Sequence, residues 1–275
     1  MKEWIVETKA LTKKFHNFTA VDQVSFHMKK GSITGLIGPN GAGKSTLMKL
    51  MSGLLHETQG ELKLFGKHPG EDPFVFRRVG TLIEHAGLYP ALNAYDNLKM
   101  KALMLGCCSH ELITELLKLC SLSTTGKKKA GDFSMGMKQR LGIARAILCR
   151  PELVILDEPA NGLDPAGMKQ IRELFWILSA EYGMTFLISS HLLSEIESIA
   201  DTIGVISHGR LLKEISMKEI SEMNTAFIEL AAENTQKAAY VLSDKLNLSN
   251  FKIMDDSRIR IYELSASTQK ISKEL

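Results

Sequence analysis

Eight consecutive residues, Gly38-Pro39-Asn40-Gly41-Ala42-Gly43-Lys44-Ser45, follow the pattern G-x-x-x-x-G-K-[ST]. Glycines at these spacings let a backbone curl until successive N–H groups converge on phosphate oxygens. A buried strand, Ser32 to Ile37, precedes the loop, and a helix running to about Leu55 follows it. The start of that helix contributes the positive end of its dipole. In this setting Lys44 neutralises the outer phosphates of a nucleotide and the Ser45 hydroxyl ligates Mg²⁺. Thr46, the next residue, belongs to the same cradle. A chance Gly-rich turn would lack the two flanking elements.

A second group of residues supplies acid–base chemistry. Leu153-Val154-Ile155-Leu156 is an apolar, strand-length run that ends in Asp157-Glu158, which brings both carboxylates to the carboxyl edge of a sheet, beside the phosphate loop. Asp157 is expected to hold Mg²⁺ through water, and Glu158 to polarise an attacking water as general base. A positioned base contributes about 10²–10⁴-fold in rate. Many buried strands end in acids, so the pair becomes specific only beside the phosphate loop.

These groups must be positioned by a folded frame. The 275 residues include 44% hydrophobic and 24% charged, enough for one large domain with a small appendage. Short apolar strands alternate with amphipathic helices, the pattern of an α/β domain with a largely parallel sheet. Near the N-terminus Val21, Val24, Phe26 and Met28 fall close to period two, as in a half-buried antiparallel strand. Glu61 to Leu64 reads as more antiparallel strand, and Val79 to Ile83 as core strand. From about Ala94 to Arg150 the pattern is helical, and Met137, Leu141, Ala144 and Leu148 form a buried stripe on its last helix. Strands resume at Leu153–Leu156, Thr185–Ser189 and Thr202–Ser207. Asp164-Pro165 opens a helix with an N-cap carboxylate and Pro at the first position. After about Glu222 a small strand–helix–strand–strand appendage is expected, with strands at Phe227–Leu230 and Arg258–Leu264.

Bulk properties exclude several classes. A net charge of +3 is too mild to argue for nucleic acid, and Lys127-Lys128-Lys129 reads as solvated loop charge. The N-terminus lacks an apolar targeting segment, and no run approaches the ~20 apolar residues of a membrane span. Cys107, Cys108, Cys120 and Cys149 form no CxxC pair, so they are expected to be reduced packing residues. The His residues show no metal spacing.

Three further motifs decide among phosphate-loop proteins. Phe133-Ser134-Met135-Gly136-Met137-Lys138-Gln139-Arg140 precedes the acidic strand, Ala160-Asn161-Gly162-Leu163-Asp164 follows it, and Ser189-Ser190-His191 closes the next strand. With all motifs in order, residues 3 to 222 resemble the ABC ATPases. The resemblance implies an α/β P-loop NTPase (RecA-like) core with an antiparallel β subdomain and a helical insertion at about 85–150. A small α+β appendage, 223–275, follows. It also implies ATP hydrolysis with Mg²⁺, in which two cassettes sandwich each nucleotide. Ser134 and Gly136 then face the partner's γ-phosphate, and Ser134 is also a helix N-cap by residue type. Asp164 lies in the D-loop. His191 matches the histidine that contacts the γ-phosphate and orients Glu158 and water. Phe15 matches the aromatic that stacks on adenine, against a plain reading as a strand residue, and Val21 is expected to add apolar contact.

Two departures stand out. Met135 and Met137 replace a Gly and the Gln of the usual LSGGQ signature, while Ser134 and Gly136 are retained. Glu84, in Gly80-Thr81-Leu82-Ile83-Glu84-His85, stands where the family usually has a Mg²⁺-sensing Gln. A carboxylate keeps an oxygen for the metal but adds negative charge. This Q-loop, Gly87-Leu88-Tyr89-Pro90, Tyr95-Asp96-Asn97-Leu98 and Ser-Met-Gly-Met-Lys-Gln-Arg resemble bacterial ABC-2-type exporters for lantibiotics or bacitracin-like peptides. The implied partners are a second copy or homologous cassette and a separate polytopic permease, with no nucleic acid. That implies a cytoplasmic protein held peripherally on the inner face of the cell membrane. The competing readings are a soluble ABC ATPase of DNA or the ribosome, and an ATP-dependent regulatory module. The former carry long coiled coils or two cassettes, and neither feature occurs here.

Overall fold

The computed structural model describes residues 4–223, 227–246, 248, 250–255, 257–262 and 271–272. Residue 3 and the expected strand end at 263–264 lie outside them. The chain divides into two compact units at Met217/Lys218.

In the first unit the period-two residues Val21, Val24, Phe26 and Met28 are all buried along β2 (Phe18–Lys29). This strand pairs antiparallel with β1 (Trp4–Phe15). β1 also pairs with β4 (Gln59–Leu64), giving a three-stranded sheet of order β2-β1-β4.

The larger sheet has six strands. In spatial order they are β5 (Val79–Leu82), β6 (Leu153–Leu156), β7 (Thr185–Ser190), β3 (Ile33–Ile37), β8 (Thr202–Ser207) and β9 (Arg210–Ser216). The first five run parallel. β9 returns antiparallel from β8 and was not expected. The turn between them, His208-Gly209, has φ of 47° and 77°, the double positive φ of a tight hairpin. β6 lies between β5 and β7 and all four of its residues are buried, which explains its unbroken apolar run.

Caps fix the helices. α1 (Lys44–Met51) follows the phosphate loop and stops short of Leu55, because Gly53 takes φ +75° just past its end. α2 (Ala94–Leu105), α3 (His110–Leu119) and α4 (Met135–Ile147) form the helical insertion, capped by Asn93, Ser109 and Ser134 side chains. Leu141, Ala144 and Leu148 are buried along or just past α4, as the stripe predicts, and Met137 is half-buried. α5 (Pro165–Tyr182) starts with Asp164 accepting from Gly167 N–H and with Pro165 in its first turn. α6 (Leu193–Ile196) is a single turn.

The cysteine expectation needs correction. Cys107, just past α2, and Cys149, just past α4, are joined as a disulfide with Cα atoms 6.0 Å apart. Helix packing brings the two ends together, which linear spacing does not reveal. Cys108 and Cys120 are free thiols, and burial pushes Cys120 up to about 12.

The second unit begins within α7 (Met217–Met223), so the expected boundary at 222 falls inside a helix. β10 (Ile228–Ala231), β11 (Phe251–Asp255) and β12 (Arg258–Ile261) form an antiparallel sheet of order β10-β12-β11. Ala238 of α8 (Thr235–Tyr240) and Leu242 of the following π turn (Val241–Lys245) pack with Ile259 and Ile261 in its core.

Two features of the first unit set its stability. A Cβ on Gly80, in β5, would lie 1.9 Å from the Ala146 carbonyl oxygen of α4. Gly80→Ala is therefore expected to lower the unfolding free energy by about 1–3 kcal/mol or more, read by urea denaturation. Lys101 of α2 donates to the Arg145 carbonyl at 2.9 Å. Burial, and then the Arg145 charge, lower Lys101 to about 8. Below pH 8 this ammonium is charged in both folded and unfolded chains, and its burial counts fully against folding. The cost fades as pH rises from 8 towards the unfolded value near about 10.4. Lys101→Met is expected to raise Tm at pH 7, and the gain over wild type to shrink by pH 10.

Candidate functional site

The carboxyl ends of β3 and β6 bring the two chemical motifs together. The loop after β3 wraps a cavity of about 290 Å³ lined by residues 39–46, Asp157, Glu158, Phe18 and Ala20. Gly43 takes φ +104°, and a Cβ there would meet the Ala20 carbonyl oxygen at 2.5 Å. Only glycine fits that close approach. Gly41 takes φ +79° with open space around it.

Lys44 opens α1 with only 6% of its surface exposed. Its Nζ donates to the Gly38 carbonyl at 2.7 Å and the Pro39 carbonyl at 3.3 Å, and lies 3.4 Å from Glu158 Oε1. Ser45 Oγ donates to Asp157 Oδ2 at 2.6 Å. Ser189 Oγ, at the end of β7, donates to Asp157 Oδ1 at 2.6 Å and accepts from Glu158 N–H at 2.8 Å. One buried hydroxyl thus ties both acidic residues to the neighbouring strand.

Glu158 has φ 48°, a left-handed conformation unusual for a residue with a side chain. Besides Ser189, its carbonyl accepts from Asn161 N–H at 3.1 Å and Gln139 Nε2 at 3.3 Å. The carboxylate meets His191 Nδ1 at 2.8 Å through Oε2. Its other oxygen, Oε1, is buried with no hydrogen bond among the described residues, despite the Lys44 charge nearby. A carboxylate in contact with an imidazole, with one oxygen left to accept a proton, has the geometry of a general base.

Ser134 caps α4 by accepting from Met137 N–H at 3.3 Å. Gly136 lies against the Gly162 carbonyl, where an added Cβ would come within 2.8 Å of the oxygen. Gly162 in turn faces Met135, whose Cγ would lie 2.6 Å from a Cβ on Gly162. The signature turn and the loop ending in Asp164 therefore touch within one chain.

Val21, Phe15 and Glu84 are not part of the lining of this cavity. Val21 is fully buried in the core, so its side chain cannot reach the cavity, and Ala20 lines it instead. Strand alternation places neighbours on opposite faces. Phe15 is 41% exposed beside Lys13 and pairs with Phe18 across the hairpin. Phe18 lines the phosphate cavity, and the exposed Phe15 ring lies outside that lining. Glu84 Oε1 is bound to Lys49 Nζ at 2.5 Å, and Glu84 does not line the cavity.

Residues 21–161 match the family described as ABC transporter. The chain belongs to that family. It is 42% identical to the bacitracin transport ATP-binding protein BcrA of Enterococcus faecalis over 273 residues, 99% of this chain and 88% of that protein. It is also 43% identical to the lantibiotic transport ATP-binding protein SrtF of Streptococcus pyogenes over 210 residues, 76% of this chain and 90% of that protein. Among solved structures, a dimeric ATP-binding cassette in a post-hydrolysis state with ADP and Pi superposes with a TM-score of 0.71 at 26% identity. It covers 77% of this chain and 98% of that one. The cassette is thus the ATP-binding subunit of an ABC transporter, whose general activity is ATP hydrolysis coupled to transport.

Sequence reasoning quoted Ser189 in this cassette without giving it a role, and it overlooked Phe18. The Ser-Ser-His run closing β7 was the available signal for Ser189. Ser189→Ala is expected to lower the unfolding free energy by about 1 kcal/mol by leaving two half-buried polar groups without this partner. It should also slow hydrolysis more than it weakens ADP binding, as read by steady-state turnover and ADP titration. Unchanged turnover would remove Ser189 from the positioning of Glu158.

Proposed function

We propose that this cassette energises export of a bacitracin-like antimicrobial peptide through a separate polytopic permease, to which it binds peripherally at the membrane. One observation carries the choice of substrate class. The likeness to the bacitracin transport protein runs through both units, whereas the lantibiotic match, at 210 residues, is shorter than the first unit, Met1–Met217. No helix among the described residues is long and apolar enough to cross a membrane, which agrees with a permease on another chain.

In this reading residues 38–46 cradle the triphosphate, with Lys44 on its outer phosphates. Ser45 and Asp157 offer the hard oxygen donors that Mg²⁺ takes, and the metal supplies charge neutralisation when bound with ATP. Glu158 accepts the proton of the attacking water, and His191 orients it. Ser134 and Gly136 face the nucleotide of a second cassette, either another copy or a homologue. Asp164 stands beside them on the D-loop. The dimeric relative supports a paired assembly.

Glu158→Gln removes the proton acceptor but keeps the shape. Turnover is expected to fall on the order of 10²-fold or more, with ATP binding retained and an ATP-bound dimer accumulating in size-exclusion chromatography. Cells lacking the cassette and its permease should become more sensitive to bacitracin, and Glu158→Gln should fail to restore resistance. Sensitivity that shifts for a lantibiotic and not for bacitracin would overturn the substrate class.

A further inference from the structure

The first turns of α4 lie against the segment that runs from Glu158 to Asp164. A Cβ on Gly136 would come within 2.8 Å of the Gly162 carbonyl oxygen. Gln139 Nε2 donates to the Glu158 carbonyl at 3.3 Å, and Arg140 reaches Asp164 Oδ1 at 3.5 Å. Residues 136, 139 and 140 are spaced i, i+3 and i+4, so they share one face of the helix. Lys138, off that face, is exposed, whereas Gln139 is half-buried.

Glu158 is held at both of its peptide groups. Its N–H donates to Ser189 Oγ at 2.8 Å, and its carbonyl accepts from Asn161 N–H at 3.1 Å as well as from Gln139. These two carbonyl donors are not equivalent. Asn161 lies three residues on, so its bond closes a turn that would travel with Glu158. Gln139 comes from a different element and fixes where that turn sits. The backbone of Glu158, at φ 48°, occupies a narrow allowed region, and a shift of the turn carries the side chain with it. The carboxylate has little room for such a shift. Its Oε2 lies 2.8 Å from His191 Nδ1 and its Oε1 3.4 Å from Lys44 Nζ, and a base works only within hydrogen-bond reach of its proton.

We propose that Gln139 is a positioning residue for Glu158. It seats the base from the same helix that begins at Ser134, so hydrolysis depends on how that helix lies against the loop between β6 and α5. A carbonyl oxygen has two acceptor lone pairs, and Asn161 keeps one of them filled. Loss of the Gln139 amide therefore strands no group and disturbs aim more than fold. The proposal rests on reading Glu158 as the general base.

The test is single-turnover hydrolysis of Mg-ATP by the full chain, with ATP affinity measured separately by titration. Gln139→Met, which keeps the length and loses the donor, should slow hydrolysis about tenfold, because small misplacements of a reacting group are costly. ATP affinity should stay within about twofold of wild type. In a Glu158→Gln background the same substitution should slow hydrolysis by less than about twofold further, since the base it aims is already gone. A merely structural role for Gln139 would still exact the full tenfold there. Gln139→Leu serves the same comparison should the Met variant fail to fold. Unchanged hydrolysis in Gln139→Met, rate lost in step with affinity, or a full further loss in the Glu158→Gln background would overturn the proposal. Wild-type hydrolysis by Glu158→Gln alone would instead defeat the underlying reading of the base.

Discussion

The hydroxyl of Ser189 sits at the convergence of three strands and carries two of the three links that set the site. It donates to Asp157, accepts from the Glu158 backbone, and lies one residue from the end of β7. Ser45 grips the other oxygen of Asp157 from the start of α1. A phosphate loop from one strand and an acidic dipeptide from another are thereby joined through a single carboxylate. The parallel register of β6 against β7 makes this possible, since Leu156 stands opposite Ile188 and both chains emerge at one level. A shift of one residue would turn every side chain to the other face, so the chemistry depends on a sheet whose strands β6 and β7 are buried along their whole length.

Glu158 shows what that arrangement costs. Its left-handed backbone is of the kind that stores about 1–3 kcal/mol, and a bond to Ser189 and bonds from Asn161 and Gln139 hold it there. Gln139 belongs to α4, so the helical insertion helps fix the backbone of Glu158. The strain aims the carboxylate at His191 and Lys44. A relaxed extended residue after β6 would carry the side chain elsewhere.

Much of this was legible in the sequence where local pattern and chemistry coincide. The G-x-x-x-x-G-K-S loop, the acidic end of an apolar strand, the caps at Ser134 and Asp164 and the buried face of β2 all follow from residue type and spacing. What the sequence left open had either a weak local signal or partners distant in the chain. β9 was missed because a His-Gly hairpin turn is a weaker signal than Asn-Gly or Asp-Gly. Phe15 and Phe18 flank the same turn, and only the twist of the folded hairpin decides which of them lines the cavity. Val21 and Ala20 are adjacent, so an error of one residue reverses inside and outside. The Cys107–Cys149 pairing and the Lys49–Glu84 contact join segments that no linear spacing relates.

The contact between Gly80 and Ala146 has a mechanical meaning. α4 carries Ser134 at its start and presses its last turn against β5, with no room for even a methyl group between them. Its 13 residues span about 20 Å. The helix is thus a lever whose fulcrum is the bare backbone of Gly80, in the strand that leads to Glu84. A tilt of about 10° at that fulcrum would sweep the serine end through about 3 Å over this length. A small displacement near Glu84 would in this way be magnified at the Ser134 end of the helix.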